Sequence, residues 1–445
     1  MYAVPKGRHP VRLRLAITSI APGGQGVGHV EHGAERRAVF VPRAAPGDVI
    51  DAQVDFDQRP ARGEVVRLVE PSTWRGAASP CPYVEKCGGC DLMHLTRDAQ
   101  HDVHRRIVGD LLERSTKTPR AALEVRAAPS ATRYRTRARV AVLAGRGRAV
   151  VGYHRAASRH IEQITACIVL DERLDPALPL LRELFAEQTG EGEVAIALGA
   201  AGRPVLDVRW RGDLSGTFYG ALGRHVETGA LAGAEVWLLG ARVPARVGDP
   251  RAQTVAADGE PLVVPAGGFA QAHPALNVML GRAVLAAAAL EGTPQAEANR
   301  PVIELFAGSG NFTVLLARHT PALVAVESDP RAAHAARENL EARGVRARIV
   351  EGDADAFDLP PQARTVVLDP PRTGAPGAVR RIASSKVRRV VYVSCDATTL
   401  ARDVEVLAGS GFQLAHVELF EMFPHTSHVE MVAVLERDPN VRSAR

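Results

Sequence analysis

The pattern of hydrophobic and polar positions changes along the chain, and its first part consists of short alternating runs broken by Gly and Pro. Five such runs lie between Val11 and Glu70: VRLRLAITSIA, PGGQGVGHV, RRAVFVP, PGDVIDAQVDFD and GEVVRLVE. Alternation with a period of two residues is typical of strands that bury one face. Five strands of this length predict a small closed or partly open β-barrel.

The middle of the chain begins with a helical pattern and continues with β-rich sequence. The segment TRDAQHDVHRRIVGDLLERS has helical periodicity, and its apolar residues lie on one side of the helix: Val103, Ile107, Leu111 and Leu112. The segment from about Glu124 to Pro265 is punctuated by Gly and Pro and reads as strands.

From Pro301 onward, apolar runs of strand length alternate with loops and helical patterns. The runs are PVIELFA, ALVAVES, RARIVEG, TVVLD and RRVVYVS. This texture predicts a doubly wound parallel sheet, and hence an α/β fold. FQLAHVELF and HVEMVAVLE follow with little room for a helix between them, so we expect an antiparallel pair at the sheet edge.

Length and these changes of texture predict three domains for the 445 residues. Their expected bounds are 9–72 for the barrel, 73–267 for a central β-rich domain and 268–437 for the Rossmann-like α/β domain. The helix over 97–116 is expected to pack on the α/β domain.

Charge and targeting signals add little to this picture. The formal net charge is +5 and the pI about 9.1, with nearly all basic residues Arg, which alone is weak evidence for nucleic-acid binding. Basic clusters run from Thr132 to Arg148 and from Val379 to Arg389, and either could be a solvated face. We expect a cytoplasmic protein without membrane association, because the opening MYAVPKGRHPVRLRLAI has no apolar signal region and no stretch could span a bilayer.

The five cysteines divide into a group of four and a single one. Cys81, Cys87 and Cys90 form C-x5-C-x2-C, Cys167 follows much later, and Cys395 stands alone in VVYVSCDATTLARD. Thiolates with this spacing bind zinc or an iron-sulfur cluster, and three clustered ligands with a remote fourth favour iron-sulfur over zinc. The alternative is four buried cysteines acting as small hydrophobic residues.

Polar residues follow the predicted parallel strands at their carboxyl ends, where such folds bind ligands. If the last strand is antiparallel, its first residue lies at the same edge. The residues expected there are Gly308, Gly310, Asn311, Glu327, Asp353, Asp369, Cys395 and Glu430.

The glycine loop at this edge predicts a nucleotide site. Glycines allow close backbone approach, and the next helix offers free N–H groups. Thr313 replaces the third glycine of a dinucleotide fingerprint. Glu327 is placed to accept from ribose hydroxyls and Asp353 to meet an adenine amino group, although helix capping is an alternative for Asp353. Together these features favour S-adenosylmethionine.

Cys395 and Glu430 predict the chemistry. We expect nearby helix N-termini to lower the pKa of Cys395, and the apolar strand HVEMVAVL to raise the pKa of Glu430, unless Glu430 is a solvated edge residue. Attack of the thiolate on C6 of uracil would make C5 nucleophilic toward a sulfonium methyl group, and Glu430 would then remove the C5 proton. Asp369 would orient the base or the donor.

With these motifs the chain resembles the uracil-5 RNA methyltransferase family, in its form with a TRAM domain and a four-iron cluster. The TRAM likeness rests on Gly24, Gly26 and Gly28 and on VFVPRAAPGD, which ends at Asp48. The resemblance implies a [4Fe-4S] cluster on the four grouped cysteines, Cys395 as nucleophile and Glu430 as base. It implies donor-binding roles for Gln271, Phe306, Asn311, Glu327, Asp353 and Asp369, beside the loop glycines Gly308 and Gly310.

Four positions depart from the family pattern. His273 stands where Asn is common, Ala307 where Cys is common, and Asp396-Ala397 where Asn-Pro is frequent. We expect the charge of Asp396 to raise the pKa of the neighbouring thiol unless an arginine such as Arg402 offsets it.

The sequence therefore predicts an RNA uridine C5-methyltransferase that flips its target base, acts on ribosomal RNA and is a monomer. A transfer-RNA T-loop uridine is the alternative substrate, and a catalytically idle RNA-binding assembly factor is the alternative class. An amino-group methyltransferase would leave Cys395 and Glu430 without roles, and the spacing C-x5-C-x2-C is not that of a radical S-adenosylmethionine enzyme.

Overall fold

The computed structural model describes residues 10–32, 35–116, 123–156, 158–290 and 300–437. The residues at 1–9, on which the expected start of the first domain and the absence of a signal region partly rest, lie outside these ranges. No described helix is long and apolar enough to cross a membrane.

The first five strands close into a barrel, as the alternation predicts. They are β1 (Val11–Ile20), β2 (Gly26–His32), β3 (Glu35–Val41), β4 (Val49–Asp55) and β5 (Ala61–Glu70), joined in the order β1-β2-β3-β5-β4. Every other side chain points inward, and Leu15, Ile17, Val39 and Ile50 fill a core that is at most 2% exposed. Closure pairs every strand on both sides and leaves no sheet edge.

The middle of the chain forms a helix, a seven-stranded sheet and a hairpin. Its elements are α1 (Arg97–Thr116), β6 (Glu124–Arg126), β7 (Arg137–Gly145), β8 (Arg148–His154), β9 (Ile161–Gln163), α2 (Ala177–Phe185), β10 (Thr189–Leu198), β11 (Pro204–Asp213), α3 (Gly216–Glu227), β12 (Gly233–Leu238), β13 (Ala245–Gly248), β14 (Ala252–Val255) and β15 (Pro261–Val264). The sheet has the order β13-β12-β11-β10-β7-β8-β9. Helices α2 and α3 cover one of its faces, where Phe185 packs on Trp210 and Phe218.

The last part of the chain forms an eight-stranded sheet with helices on both faces. Its elements are α4 (Pro274–Ala288), β16 (Val302–Leu305), α5 (Thr313–Leu316), β17 (Leu323–Glu327), α6 (Pro330–Glu341), β18 (Arg348–Glu351), β19 (Thr365–Leu368), α7 (Pro376–Ser384), β20 (Arg389–Ser394), α8 (Ala397–Ala408), β21 (Phe412–Phe420) and β22 (Glu430–Arg437). The strand order is β18-β17-β16-β19-β20-β22-β21-β6, and β16 to β20 are parallel. Helices α1, α7 and α8 cover one face, and α4 and α5 cover the other.

The structure differs from the sequence prediction at the edge of this sheet. β22 lies between β20 and β21 and is antiparallel to both, and β6 pairs with β21 beyond it. The predicted antiparallel pair is therefore correct, but it does not form the edge. Residues Glu124–Arg126, expected in the central β-rich segment, belong to the α/β sheet, because three residues carry too little local pattern to reveal a pairing with a strand about 290 positions later.

Candidate active site

Cys395 and Glu430 meet at the carboxyl ends of the parallel strands. Cys395 directly follows β20, and Glu430 is the first residue of β22. The antiparallel register pairs Ser394 with Met431, so the next position on each strand brings residue 395 opposite residue 430. The two side chains also interact electrostatically, since the negative charge of Glu430 raises the pKa of the Cys395 thiol.

Glu430 is enclosed rather than solvated. It is 2% exposed, and burial together with the charge of Asp369 raises its pKa well above the usual range. The pKa of Asp369 is raised as well, first by burial, while a hydrogen bond from Gln271 opposes the shift. Neighbouring carboxyl groups, here one buried and one half-buried, disfavour double ionisation, so the pair can hold a proton near neutral pH.

The prediction that helix N-termini lower the pKa of Cys395 is wrong for this structure. Burial and the charge of Glu430 raise that pKa to about 12. Arg372 opposes the shift through its charge and a hydrogen bond to the thiol. Desolvation of the sulfur is the largest cause of the shift, so the N-terminus of α8 does not bring the pKa below its usual value.

Asp396 and Arg402, which were expected to act on the thiol, both have other partners, and neither is among the main groups that shift its pKa. The carboxylate of Asp396 accepts from the backbone N–H groups of Thr398 and Thr399 at 3.0 and 2.9 Å, which caps α8. Arg402 binds Asp403 at 2.8 Å and the carbonyl of Thr373. The guanidinium beside the thiol is that of Arg372, in the Asp369-Pro370-Pro371-Arg372 turn after β19.

The glycine loop after β16 is held by the acid at the end of β17. Glu327 accepts from the backbone N–H of Gly308 at 2.8 Å and from that of Asp329 at 2.7 Å. Gly308 and Gly310 have φ of +56° and +87°, and Phe306, just before the loop, has φ of +62°. This left-handed backbone turns the chain sharply at the strand end, where a ligand would approach it.

Asp353 and Gln271, two other predicted donor-binding residues, differ in which of their side-chain atoms already have hydrogen-bond partners. Asp353 caps the turn that follows β18 by accepting from Asp355 N at 2.9 Å, which bears out the capping alternative for one of its oxygens. Gln271 is 4% exposed and donates to Asp369 at 3.3 Å, while its Oε1 has no hydrogen-bond partner within the described residues. A buried acceptor without a partner is costly, so this atom fits a ligand that donates a hydrogen bond.

The amide of Asn311 is engaged with neighbouring chain segments. Its Oδ1 accepts from Ala257 N at 3.1 Å and from Asn277 Nδ2 at 2.8 Å, and its Nδ2 donates to Asn277 Oδ1 at 3.0 Å. This amide pair ties the glycine loop to α4.

Sequence reasoning missed Glu304 and gave Arg372 no role. Glu304 lies inside β16, is 2% exposed, and burial raises its pKa to about 8, with the charge of Asp369 acting in the same direction. Its signal was available, because a carboxylate in the apolar run PVIELFA is unexpected on composition. The signal for Arg372 appears only when the turn is folded against Cys395.

His273 performs the capping that its position requires. Its Nδ1 accepts from Leu276 N at 3.3 Å at the start of α4, its Nε2 contacts the carbonyl of Ser130 at 3.1 Å, and its ring stacks on Tyr134. Ala307, the other buried departure, is 5% exposed.

The four grouped cysteines line one cavity beside β8 and β9. Cys81, Cys87, Cys90 and Cys167 share it with Tyr153 and Arg135. Burial raises the pKa values of Cys87, Cys90 and Cys167, and the neighbouring sulfurs raise them further. Thiols in this setting become stable thiolates only with a cationic group among them, so the donor set fits a metal centre.

This cavity does not have the geometry of a single-ion site. Within the described ranges, no three His, Cys, Asp or Glu side chains are arranged to hold one metal ion.

Comparison with families of known proteins gives two matches. The model described as tRNA (Uracil-5-)-methyltransferase matches residues 355–438, which include β19 to β22. The TRM5/TYW2 methyltransferase domain matches residues 291–376.

Curated relatives match over nearly the whole chain. The 23S rRNA (uracil(1939)-C(5))-methyltransferase RlmD of Pseudomonas putida is 35% identical over 452 residues, which cover 97% of this chain and 95% of the relative. The protein of the same name from Chromohalobacter salexigens is 32% identical, with 96% and 90% covered.

A solved structure shares the whole architecture. The tRNA (uracil-54, C5)-methyltransferase of Pyrococcus abyssi, in complex with S-adenosyl-L-homocysteine, superposes with a TM-score of 0.71 at 22% identity, covering 95% of this chain and 100% of that one.

Proposed function

The chain belongs to the uracil-5 RNA methyltransferase family, whose members are S-adenosylmethionine-dependent enzymes, and we propose that it methylates C5 of a uridine in ribosomal RNA. The observation that carries the proposal is the meeting of Cys395 and Glu430 at neighbouring strand ends. A half-buried thiol beside a buried carboxylate supplies the nucleophile and the base that substitution at C5 requires.

Cys395 acts first on the uracil ring. Its thiolate attacks C6, a C–S bond forms, and the electrons of the C5–C6 double bond move toward C5 and O4. Arg372 stabilises the thiolate before attack. S-adenosylmethionine, when bound, would supply the electrophilic methyl group that C5 takes up, and the electrons of the broken S–CH3 bond would stay on the donor's sulfur as a neutral thioether.

Glu430 completes the reaction. Its carboxylate takes the proton from C5, the C–H electrons restore the C5–C6 double bond, and the C–S bond breaks to release Cys395 as thiolate. The raised pKa of Glu430 makes it a stronger base than a solvated carboxylate. Asp369 holds the proton that the carboxyl pair shares, or orients the base edge.

The methyl donor is assigned to the loop and strand ends that carry unused polar groups. Gln271 offers its unpartnered Oε1, and Glu327 holds the glycine loop around Gly308 and Gly310 in the left-handed backbone conformation. Phe306 would border the donor, Asp353 would contact its adenine with the oxygen that does not cap, and Asn311 would support the loop through Asn277.

We also assign the domains and the cysteine site. The barrel is proposed to be a TRAM domain over 9–72, followed by a central iron-sulfur domain over 73–267 and the methyltransferase domain over 268–437. Two elements from the central range join the methyltransferase domain: β6 extends its sheet, and α1 packs on one face of that sheet. Cys81, Cys87, Cys90 and Cys167 would hold a [4Fe-4S] cluster, which would stabilise the local fold; no step of the reaction uses it.

The covalent step can be tested on a gel. Glu430→Gln should accumulate a methylated RNA–protein adduct that survives denaturation, because the thiolate adds but the C5 proton cannot leave. Cys395→Ala should form no adduct and no 5-methyluridine while still binding RNA. Normal turnover by the Cys395 variant would overturn the mechanism.

The RNA class can be tested by mapping 5-methyluridine in a deletion strain and its parent. Loss from 23S ribosomal RNA would support the proposal, since the relatives are named for that substrate. Loss from the T-loop of transfer RNA alone would replace the proposed substrate. An unchanged pattern in both RNAs would favour the idle assembly factor.

A further inference from the structure

The loop that precedes Glu430 is held by segments outside its own sheet. Residues 421–429, the 421–429 loop, join β21 to β22. The carbonyl of His425 accepts from Leu92 N at 2.9 Å, and His425 N donates to Gln100 of α1 at 3.0 Å. His104 of α1 contacts the carbonyl of Thr426 at 2.9 Å. The position of Glu430 thus depends on the chain that follows the cysteine cluster.

Among the residues that hold the 421–429 loop, Asp91 binds the position closest to Glu430 along the chain. Its Oδ1 accepts from Ser427 N at 2.8 Å, and its Oδ2 accepts from Ser427 Oγ at 2.6 Å. Ser427 is 7% exposed and lies three residues before Glu430. A carboxylate that accepts two hydrogen bonds from one residue fixes both its backbone and its side chain.

Asp91 also touches two other parts of the molecule. It directly follows Cys90, one of the four grouped cysteines. On its other side lies Gly24 of the barrel, which has φ of +77° and is so close that an added Cβ would stand 2.3 Å from Asp91 Oδ2. The barrel turn, the cysteine segment and the 421–429 loop therefore converge on one carboxylate.

We propose that Asp91 is a positioning residue for Glu430: by binding Ser427 it sets the place of the base, and the barrel turn at Gly24 sets the place of Asp91. This inference rests on the proposed function. Asp91 does not touch the reacting atoms, so its effect falls on the step that needs Glu430, which is proton removal from C5. Displacement of Glu430 should not slow the attack of Cys395 on C6, because the charge of Glu430 raises the pKa of the thiol and so opposes its ionisation.

The test is the fate of the covalent RNA adduct in single-turnover reactions with the full-length protein. In Asp91→Ala the adduct should form at the normal rate and decay about tenfold more slowly, because a displacement of about 1 Å at a catalytic group costs up to about a hundredfold. Asp91→Asn should restore decay to within about twofold, since its amide oxygen still accepts from Ser427 N. The KM for RNA and the iron content should stay unchanged in both.

A matched glycine pair tests the barrel side. Gly24→Ala should slow adduct decay as Asp91→Ala does, because its methyl group pushes on Asp91. Gly23→Ala is the control: Gly23 has φ of +94° and nothing lies within 4 Å of its added Cβ, so it carries similar backbone strain without the contact. Equal decay rates in the two variants would overturn the barrel contact.

Two outcomes separate this inference from the proposed function. If Glu430→Gln accumulates adduct and Asp91→Ala does not, Asp91 has no positioning role. If neither accumulates adduct and Cys395→Ala remains active, the proposed function fails. Should Asp91→Ala fold poorly, Ser427→Ala removes only the hydroxyl bond and should slow decay to a smaller degree, while normal decay in Ser427→Ala together with equal glycine variants would overturn the inference.

Discussion

At the scale of single residues, the ionisation of Cys395 is decided by a balance that Arg372 tips. Burial and Glu430 raise the pKa of the thiol to about 12, and Arg372 is the group that opposes this shift most strongly. Arg372 also lowers the pKa of Glu430. One guanidinium thus favours the charged form of both groups that must be charged to react.

Replacement of Arg372 by Gln should move the rising limb of the pH profile of kcat/KM to higher pH. Both Cys395 and Glu430 react in their deprotonated forms, so loss of the cation raises both pKa values and lowers the reactive fraction at any pH below them. A shift of one pH unit corresponds to about tenfold lower activity at fixed pH on the rising limb. Initial rates between pH 6 and 10 measure it.

The control for Arg372 is Arg380→Gln, which removes another exposed arginine of the same region, from α7. Arg380 is not among the main groups that shift either pKa, so the pH profile of Arg380→Gln should coincide with that of the parent. An unshifted profile in Arg372→Gln would show that Arg372 does not act on these groups.

At the scale of elements, two departures from the family pattern preserve helix caps. Asp396 caps α8, which begins directly after Cys395, and His273 caps α4, which begins close to Gln271. Asparagine, the common residue at both positions, caps helices through the same kind of hydrogen bond. The substitutions therefore keep the strand-to-helix turns that place these two site residues.

We expect Asp396→Ala to lower the free energy of unfolding by about 1 kcal/mol, because two N–H groups of α8 lose their acceptor. Asp396→Asn should be within about 0.5 kcal/mol of the parent and should leave the pH profile nearly unchanged, since Asp396 is not among the main groups that shift the pKa of Cys395. Urea denaturation measures the first, and initial rates against pH the second.

Glu405→Ala is the matched change for Asp396, because it removes an exposed carboxylate from the same helix without touching its cap. It should change the unfolding free energy by less than about 0.5 kcal/mol. If Asp396→Ala were equally harmless, the cap would contribute nothing measurable.

At the scale of the whole molecule, the central β-rich part is tied to the rest through the cysteine segment. Cys87 forms an antiparallel backbone β-bridge with Arg155, next to β8. Leu92, two residues after Cys90, donates a backbone hydrogen bond to the loop that precedes Glu430. A group bound by all four cysteines would hold this segment against the seven-stranded sheet. It would thereby keep Asp91 in place.

Cys90→Ser should remove the colour and the iron of anaerobically purified protein, whereas Cys395→Ala should keep both. Loss of the bound group should lower the unfolding free energy by about 4 kcal/mol or more, because metal loss is among the few single changes of that size. Iron analysis, visible absorbance and denaturation measure these effects. A colourless parent protein with stoichiometric zinc would contradict the cluster.

Much of the fold could be predicted because local burial patterns determine local structure. The five barrel runs, α1 and the five parallel strands match their predicted segments closely, since each element has enough residues to show its period. The short strand β6 could not be assigned to its sheet, because its pairing partner is remote in sequence.

The residues of the candidate site also fall into those that the sequence identified and those that it did not. Cys395, Glu430 and Asp369 were identifiable because a topological rule places strand ends together. Arg372, the capping roles of Asp396 and His273, and the anchor at Asp91 were not identifiable, because each depends on a contact between segments with no shared sequence pattern.

The sequence by itself determined which strands exist, which residues stand at their ends and which thiol is separate from the other four. Only the tertiary structure decided the ionisation of that thiol. Desolvation depends on what surrounds a group in space, and here it raises the pKa although a helix N-terminus follows Cys395 along the chain. The tertiary structure also decided that Glu430 is held in place from outside its own sheet, since the hydrogen bonds that the 421–429 loop donates to Asp91 and shares with α1 form only when distant segments meet.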